Sequence, residues 1–356
     1  MEHEHYLDYD QHSMFEVLKN FDKQLYHAIK IGDHLDEPKF ENEIREILIA
    51  GMGGSAIGGD LLRSYLESVP ETKHIRINVI RNYNLPEYVD EHTSVIASSY
   101  SGNTEETLSA FSQALEKTRN IICVTSGGQL AKLGEKNDLQ VIKMPGGFQP
   151  RCALGYSFMI LLFIVTKLKI LDGKTEFDLS RALEEALRII QTRAEQYAVK
   201  NHDNPAYNLA KEIKGKIPVI YSSNETFDAV NLRWRGQFHE NAKSLAFGNL
   251  LPEMNHNEIN SWDMPAELLH DFQIIFLRDA NDHDRIKLRF DAIKKILEDQ
   301  GLDVLTFAGE GNFLITRIMD LLYLSDWTSF YLAELYDKDP MAIPAISKLK
   351  DILSKK

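Results

Sequence analysis

Short apolar runs that end in turn residues recur through the first half of the chain, with segments of helical periodicity between some of them. Strands that alternate with helices in this way favour a parallel sheet with helices on both faces. The predicted helices include Thr104 to Lys117 and Gln129 to Lys136. The predicted strands span residues 46–51, 77–82, 94–99, 120–128 and 139–147.

A charged helical stretch from Leu179 to Val199 separates this block from a second block with the same pattern. The second block contains predicted strands at residues 218–224, 272–279 and 303–311, and predicted helices at residues 227–242, 284–300 and 312–336. We therefore expect an α/β fold with two doubly wound parallel-sheet lobes. The expected divisions are an N-terminal helical lead-in (1–45), a first lobe (46–175), a connecting helix (176–205), a second lobe (206–338) and a C-terminal helical tail (339–356).

Charge and composition narrow the range of partners. The formal net charge is −13 and the sequence has no strong basic patch, so we expect neither nucleic acid nor an anionic membrane as a partner. The N-terminus lacks the regions of a signal peptide, and the richest apolar run, Ala153 to Val165, is short for a membrane span. We expect a cytoplasmic protein in which that run forms a buried core helix.

The cysteines and the N-terminal histidines do not form a metal-binding pattern. Cys123 and Cys152 have no CxxC spacing and stand in apolar company, which is typical of small buried residues. His3 and His5 have no third ligand near them, so we interpret them as solvated and expect no metal.

The segment GMGGSAIGGD, Gly51 to Asp60, follows a predicted strand and opens a helix. Glycines there let the backbone approach a ligand, and amides at a helix N-terminus form an anion site. Gly51, Gly53 and Ala56 also match the dinucleotide fingerprint, which requires an acidic residue about 20 positions later. The next predicted strand ends in Arg81 and Asn82 instead, which disfavours NAD and leaves an NADP enzyme that uses Arg81 as an alternative.

A second segment, SSYSGNTEET, places the hydroxyl groups of Ser99, Ser101 and Thr104 between a strand and a helix. Several neutral donors at a helix start can hold a phosphate without lysine. The alternative is an ordinary helix start with Asn103 as its N-cap. A third turn of glycine and hydroxyl residues, TSGGQL (125–130), follows another strand, so the three turns predict a single crevice at one sheet edge.

Later segments make a family resemblance specific. GMGGS and SYSGNTEET resemble the start of sugar isomerase (SIS) domains, which bind phosphorylated sugars. Together with the later segments, they resemble the bifunctional phosphoglucose/phosphomannose isomerase family from Gly51 to Lys350. The later segments are PRCALGY (150–156), FHENAKS (238–244), PEMNHNEI (252–259) and DPMAIPAISKLK (339–350).

The resemblance implies a cofactor-free isomerisation of glucose 6-phosphate to fructose 6-phosphate through a cis-enediol, with mannose 6-phosphate as a second substrate. It implies that Glu240 is the base that moves a proton between C1 and C2, and that His256 assists ring opening. Arg151 would lie beside the enediolate, and Lys350 would reach the ring oxygen. The implied sugar-phosphate contacts are Gly54, Ser55, Ser99, Ser101, Thr104 and Arg151. The resemblance also implies a homodimer in which His256 serves the Glu240 of the neighbouring subunit.

The residue types suit these roles. Proton abstraction beside a carbonyl needs a carboxylate within hydrogen-bond reach, with a pKa nearer neutrality than that of a free glutamate. The enediolate needs a fixed positive charge, which an arginine keeps. Ring opening suits histidine, which titrates close to neutral pH.

Each assignment has a simpler alternative. Glu240 stands near four basic residues and could belong to a surface ion network. His256 lies in a polar loop and could be solvated, and Arg151 could cap a helix or pair with an acid. Lys350 could be an ordinary surface lysine, and Lys348 is an alternative for the tail lysine.

The tail departs from the family pattern at one position. The family tail resembles Asp-Pro-Thr-Pro, and anchoring on Asp339 and Pro340 puts Met341 at the threonine position. Methionine cannot donate a hydrogen bond. If that hydroxyl lets the site accept both C2 epimers, the departure puts turnover of mannose 6-phosphate in doubt.

Two further functions remain open beside the NADP enzyme. Another SIS isomerase, acting on an amino or seven-carbon sugar phosphate, would keep the phosphate loop but would not require Arg151, Glu240 and His256 together. A sugar-phosphate sensor would usually carry a DNA-binding helical domain, for which the segment before Gly51 is too short and too acidic.

Overall fold

A computed structural model describes residues 9–40, 42–69, 75–171, 173–353 and 355. The chain divides into two compact units. The first unit is Phe21–Leu187, and the second unit is Met1–Asn20 together with Arg188–Lys356. The N-terminal histidines His3 and His5 lie outside the described residues.

The first unit is a parallel sheet with the helices that follow its strands. The helix α1 (Met14–Lys19) precedes it in the chain and belongs to the second unit. The elements of the first unit are α2 (Phe21–Asp33), β1 (Glu46–Ala50), α3 (Gly53–Glu67), β2 (Arg76–Ile80), β3 (Thr93–Ser98), α4 (Glu105–Lys117), β4 (Ile121–Thr125), α5 (Gly128–Lys136), β5 (Gln140–Lys143), a 3₁₀-helix (Pro150–Ala153) and α6 (Leu154–Lys167). The strands lie in the order β2-β1-β3-β4-β5, and the register pairs Ile49 with Ile96 and Ile96 with Ile122. The order reverses between β1 and β3, which is where ligands bind in open α/β sheets.

The helix α7 (Gly173–Tyr197) carries the chain from the first unit into the second. The second unit then continues with α8 (Pro205–Ile213), β6 (Ile217–Ser223), α9 (Asp228–Gln237), a π-helix (Phe238–Ala242), β7 (Phe247–Leu251), two 3₁₀-helices (Glu253–His256 and Glu258–Trp262), α10 (Ala266–Leu269), β8 (Phe272–Arg278), α11 (Asp284–Asp299), β9 (Val304–Ala308), α12 (Leu314–Leu335) and α13 (Pro344–Leu353). Its parallel strands lie in the order β7-β6-β8-β9. The order reverses between β6 and β8, as it does between β1 and β3.

The central strands are apolar on both faces because helices cover both sides of each sheet. Ile47, Leu48 and Ile49 of β1 are fully buried, as expected for a parallel strand. The predicted α/β fold with two parallel-sheet lobes is confirmed, while the exact domain divisions stay a prediction.

The strand β7 was not predicted, and it corrects the expected content of the second lobe. Its sequence, FGNLL, contains glycine and asparagine, which are depleted in strands. The predicted helix 227–242 also differs in detail, since it becomes a π-helix from Phe238 onward.

The buried core helix was predicted correctly. Among the described residues, Pro150–Lys167 is the one segment long and apolar enough to cross a membrane, and 83% of it is buried inside the protein. Such burial is typical of a core helix. Cys123 and Cys152 are free and buried, as predicted.

Candidate functional site

The glycine-rich turn between β1 and α3 lies against the 3₁₀-helix that carries Arg151. A Cβ atom added to Gly54 would stand 2.5 Å from the carbonyl oxygen of Pro150, so only glycine permits this approach. The N-cap of α3, Met52, has no side-chain oxygen that could occupy the first amides of the helix. The turn therefore presents backbone at a helix N-terminus, which is a suitable place for an anion.

Arg151 is 2% exposed, although its guanidinium is permanently charged. The turn that carries it is fixed by Gln24 of α2. The Gln24 amide nitrogen donates to the Cys152 carbonyl at 2.9 Å, and its oxygen accepts from the Gly155 amide at 2.8 Å. The structure thus places the backbone of a buried arginine beside the Gly54 turn.

The hydroxyl-rich turn after β3 bonds both to itself and to the glycine-rich turn. The Ser99 hydroxyl lies 2.8 Å from that of Thr104 and accepts from the Gly102 amide at 3.1 Å. Across the β1/β3 reversal point, the Ser55 hydroxyl accepts from the Tyr100 amide at 3.1 Å. Two of the predicted phosphate-binding turns are therefore joined by a direct hydrogen bond.

The start of α4 differs from the ordinary helix start considered above. Thr104 is the N-cap residue, not Asn103. The Asn103 side chain instead accepts from the Gln129 amide at 3.0 Å, in the turn after β4. Ser101 is exposed and its hydroxyl accepts from the Asn103 amide at 3.2 Å.

The third turn, after β4, completes the group. A Cβ atom on Gly102 would lie 1.9 Å from the Gly127 carbonyl oxygen, so glycine is required for this close contact. The Leu130 amide donates to the Gly102 carbonyl at 2.9 Å, and the Ser126 amide donates to the Tyr100 carbonyl at 2.9 Å. The structure brings the three predicted turns together at the carboxyl ends of β1, β3 and β4.

Arg81, the residue on which the NADP alternative depends, forms an ion pair with Asp60 of α3. Its guanidinium is thus engaged by a carboxylate within the first unit. A 2′-phosphate would have to displace that carboxylate, which weakens the NADP alternative.

In the second unit, Glu240 is half-buried in the π-helix that continues α9. Hydrogen bonds to α12 hold this segment on both sides of Glu240. The side-chain amide of Gln237 donates to the Asp326 carboxylate at 2.6 Å, and the side-chain amide of Asn241 donates to the Ser329 hydroxyl at 2.9 Å. Single-turn π-helices occur frequently at functional sites.

Three of the basic residues near Glu240 in the sequence have roles inside the unit. Arg233 is buried and pairs with Asp326 at 3.1 Å, so it does not belong to a surface ion network. Arg235 is half-buried, and burial lowers the pKa of its guanidinium. The Lys243 ammonium donates to the carbonyl of Asp339 in the tail.

The tail is therefore attached to the turn that follows Glu240. The Asp339 carboxylate accepts from the Met341 amide at 2.8 Å and lies 2.7 Å from the His12 ring nitrogen. Met341, the residue at the threonine position of the family pattern, is buried. Lys348 and Lys350 are both exposed on α13, so the identity of the tail lysine stays a prediction.

His256 is exposed, but the loop that carries it is well anchored. Its neighbour Met254 is fully buried in the core of the second unit. The Glu258 carboxylate accepts from the Tyr221 hydroxyl at 2.5 Å and from the Asn249 amide at 2.6 Å. An exposed imidazole on a fixed loop suits a residue that acts on a ligand held by another subunit.

The strand β7 separates Glu240 from His256. Glu240 precedes the amino end of Phe247–Leu251, and His256 follows its carboxyl end. A strand of this length covers about 13 Å. The two predicted catalytic residues therefore flank this strand in the chain.

Comparison with known proteins identifies the family. Residues 202–353 match the family model of the bacterial phospho-glucose isomerase C-terminal SIS domain. The chain is 40% identical over 343 residues to the bifunctional phosphoglucose/phosphomannose isomerase of Caldicellulosiruptor bescii, covering 96% of this chain and 99% of that protein. The chain belongs to the bifunctional phosphoglucose/phosphomannose isomerase family. A second relative of the same name, from Aquifex aeolicus, is 38% identical over 87% of this chain and 90% of its own length.

A solved structure shows the same fold at low sequence identity. The C-terminal domain of glucosamine-fructose-6-phosphate aminotransferase from Francisella tularensis superposes with a TM-score of 0.74 at 12% identity. The match covers 93% of this chain and 98% of that domain. The predictions of a SIS-type fold and of an isomerase from this family are confirmed.

Sequence analysis did not find two residues that shape the predicted phosphate-binding region of this isomerase. Gln24 fixes the Arg151 turn from more than a hundred residues away, and no local pattern marks it. The Tyr100 hydroxyl donates to the Pro145 carbonyl at 2.8 Å and accepts from the Phe148 amide at 3.0 Å. Its position inside the SYSGNTEET segment was the only available signal.

Proposed function

We propose that this isomerase interconverts glucose 6-phosphate and mannose 6-phosphate with fructose 6-phosphate through a cis-enediol intermediate. The observation that carries the proposal is the meeting of three glycine and hydroxyl turns at the β1/β3 reversal point, with Arg151 buried beside Gly54. This combination supplies neutral donors for a phosphate and a fixed positive charge for an enediolate.

The phosphate is assigned to the turns of the first unit. Ser99, Ser101 and Thr104 supply hydroxyl groups, and Gly54 and Ser55 supply backbone at the start of α3. Hydrogen bonds to a charged group are stronger than those between neutral groups. These donors can therefore hold a dianion even though the protein has a net charge of −13.

The proton transfer is assigned to Glu240. Its carboxylate takes the proton from C2 of the open-chain aldose and returns it to C1, giving the ketose. Arg151 stabilises the negative charge on the enediolate oxygens, and His256 and Lys350 assist opening of the ring. Support for Glu240 comes from the π-helix that holds it and from the hydrogen bonds that fix this helix on α12.

The active form is proposed to be a homodimer. Glu240 and His256 flank β7 in the chain, and we propose that the partner subunit's His256 completes the site that holds Glu240. We also place the enzyme in the cytoplasm, because its charged substrates do not cross membranes.

The direct test is the formation of fructose 6-phosphate in a coupled assay, from glucose 6-phosphate and separately from mannose 6-phosphate. Glucosamine 6-phosphate serves as the amino-sugar comparison. We expect turnover of the two hexose phosphates and none of the amino sugar. Binding without turnover of either hexose phosphate would overturn the proposal and favour a sensor.

Met341 is expected to limit the turnover of mannose 6-phosphate. Met341→Thr introduces a hydroxyl group, and one neutral hydrogen bond is worth about 1 kcal/mol, or somewhat less than tenfold. We expect this variant to raise the ratio of kcat/KM for mannose 6-phosphate over glucose 6-phosphate several-fold. Met341→Leu conserves the volume and is expected to leave the ratio unchanged. Equal ratios in the two variants would contradict the assignment.

A further inference from the structure

Tyr100 lies in the hydroxyl-rich turn after β3, and its backbone forms hydrogen bonds to the turns on both sides. Its amide donates to the Ser55 hydroxyl at 3.1 Å, in the turn after β1. Its carbonyl accepts from the Ser126 amide at 2.9 Å and from the Ser126 hydroxyl at 2.6 Å, in the turn after β4. A single residue is therefore bonded to all three of the predicted phosphate-binding turns.

The Tyr100 side chain leaves these turns and bonds to the connection between β5 and the 3₁₀-helix that carries Arg151. Tyr100 is buried, and its hydroxyl donates to the Pro145 carbonyl at 2.8 Å and accepts from the Phe148 amide at 3.0 Å. The two residues between Pro145 and Phe148 are glycines, and the second has a φ of 96°. Because glycines are conformationally permissive, we infer that the two hydrogen bonds fix the path of this connection.

The connection leads directly into the backbone of Arg151. Gln149 is the N-cap residue of the 3₁₀-helix, and its carbonyl accepts from the Cys152 amide at 2.8 Å. Gln24 of α2 holds the other side of the same turn, since its side-chain amide donates to the Cys152 carbonyl at 2.9 Å. Arg151 thus lies between a segment held by Tyr100 and a segment held by Gln24.

We propose that Tyr100 is a positioning residue for Arg151, joining the turns that are proposed to hold the phosphate to the arginine that is proposed to stabilise the enediolate. The inference rests on the proposed function. A hydroxyl has one proton to donate, and Tyr100 donates it to the Pro145 carbonyl. Tyr100 therefore acts through Arg151 and not on the substrate.

The position of Arg151 matters more for the chemical step than for binding. A fixed charge stabilises a transition state only if it is held in place before the reaction. A misplacement of about 1 Å can cost about a hundredfold in rate, even when the mutation is far from the chemistry. The backbone bonds from Tyr100 to Ser55 and Ser126 do not involve its hydroxyl, so its removal leaves the predicted phosphate contacts in place.

The test is Tyr100→Phe, which removes the hydroxyl and keeps the ring. A coupled assay gives kcat and KM for the conversion of glucose 6-phosphate to fructose 6-phosphate, and isothermal titration gives the Kd of fructose 6-phosphate. We expect kcat to fall by about ten- to hundredfold, with KM and Kd within about twofold of the wild type. An unchanged kcat, or a Kd that rises as much as kcat falls, would overturn the positioning role.

Tyr331→Phe is the matched control, because Tyr331 is a buried tyrosine of the second unit with the same two kinds of hydrogen bond. Its hydroxyl donates to the Tyr197 carbonyl and accepts from the side-chain amide of Asn204 at 3.3 Å. We expect the two variants to lose a similar amount of Tm, and only Tyr100→Phe to lose turnover. A control that loses as much turnover would overturn the proposal, since the loss would then follow from weaker packing in general.

A double-mutant cycle with Arg151→Lys tests whether Tyr100 acts through Arg151. Lysine keeps the charge but not the planar fork of the guanidinium. If the two residues act as a unit, Tyr100→Phe lowers kcat by no more than about twofold in the Arg151→Lys background. Equal losses of kcat in both backgrounds would overturn the positioning role.

Two further outcomes are decided by the same measurements. If Arg151→Lys has no measurable turnover, the comparison of kcat with KM and Kd in Tyr100→Phe decides the question by itself. A wild type without turnover would overturn the proposed function, and this inference with it. An active wild type beside an equally active Tyr100→Phe would refute only the positioning role.

Discussion

The carboxyl ends of β1 and β3 in the first unit correspond in connectivity to those of β6 and β8 in the second. After β3 the chain places Ser99, within a turn of glycines and hydroxyl groups. After β8, in the equivalent place, it puts Asp279. Arg317 of α12 donates to both oxygens of Asp279, at 2.6 Å and 3.1 Å, and the pair is buried.

A second carboxylate reinforces this difference. Asp282 is buried and accepts from the Asp279 amide at 2.9 Å. Burial raises the pKa of the Asp282 carboxyl, which indicates a site where additional negative charge is costly. A phosphate here would meet two carboxylates and an arginine that is already paired.

The comparison shows how one connectivity serves two purposes. The reversal point of a doubly wound sheet offers a crevice, but the side chains at the strand ends decide whether a ligand can enter it. In the first unit glycines and hydroxyl groups leave donors for an anion. In the second unit an internal ion pair fills the equivalent place and contributes to the fold.

The largest expected effect concerns stability in the second unit. Asp279→Ala leaves Arg317 buried without its carboxylate, which typically costs about 3–5 kcal/mol. Ser99→Ala, at the equivalent place in the first unit, loses only neutral hydrogen bonds and is expected to cost about 1 kcal/mol. Urea unfolding followed by circular dichroism measures both. Equal losses in the free energy of unfolding for the two variants would contradict the difference that we infer between the two units.

The next effect concerns ligand binding. Ser99→Ala removes a hydroxyl assigned to the phosphate, and a hydrogen bond to a charged group is worth about 1.5–3 kcal/mol. We expect at least tenfold weaker binding of fructose 6-phosphate by isothermal titration. Ser223→Ala, at the end of β6, is the matched control and is expected to bind as the wild type does. Weaker binding by the Ser223→Ala variant would contradict the assignment of the phosphate to the first unit.

The smallest expected effect concerns pH. The raised pKa of Asp282 means that the folded protein holds this proton more tightly than the unfolded chain does. Its contribution to stability is therefore present at acidic pH and is lost as the pH rises through the folded-state pKa. Asp282→Asn is expected to melt at or above the wild-type Tm at pH 7, and the difference should shrink at acidic pH. A variant whose deficit grows as the pH rises would contradict this sign.

Much of the first unit could be predicted because its chemistry is local. Glycines and hydroxyl residues within single turns, such as Gly54 and Ser99, indicate the turns in the sequence itself, and the anion site that we propose there rests on the same residues. The strand β7 could not be predicted in this way, because its sequence resembles a loop and its pairing depends on β6, far away in the chain. Gln24 and Tyr100 were missed for the same reason, since their roles exist only once distant segments are packed.

The position of Glu240 was predicted, but its environment was not. The sequence indicates one continuous helix, whereas hydrogen bonds from Gln237 and Asn241 to α12 accompany a π-helix. These partners lie more than eighty residues further along the chain. Sequence patterns therefore predict a role for Glu240, which stays a prediction, and only the structure showed how its segment is held.

The most direct test of the account uses Glu240→Gln, with turnover of glucose 6-phosphate and binding of fructose 6-phosphate measured on the same preparation. Removing a general base typically costs a factor of about 10²–10⁴ in rate, while the phosphate contacts that we propose in the first unit would remain intact. We predict a kcat at least a hundredfold lower with a nearly unchanged Kd, and wild-type values for the control variant Glu298→Gln. Turnover by Glu240→Gln within a few-fold of the wild type would contradict the assignment of the base.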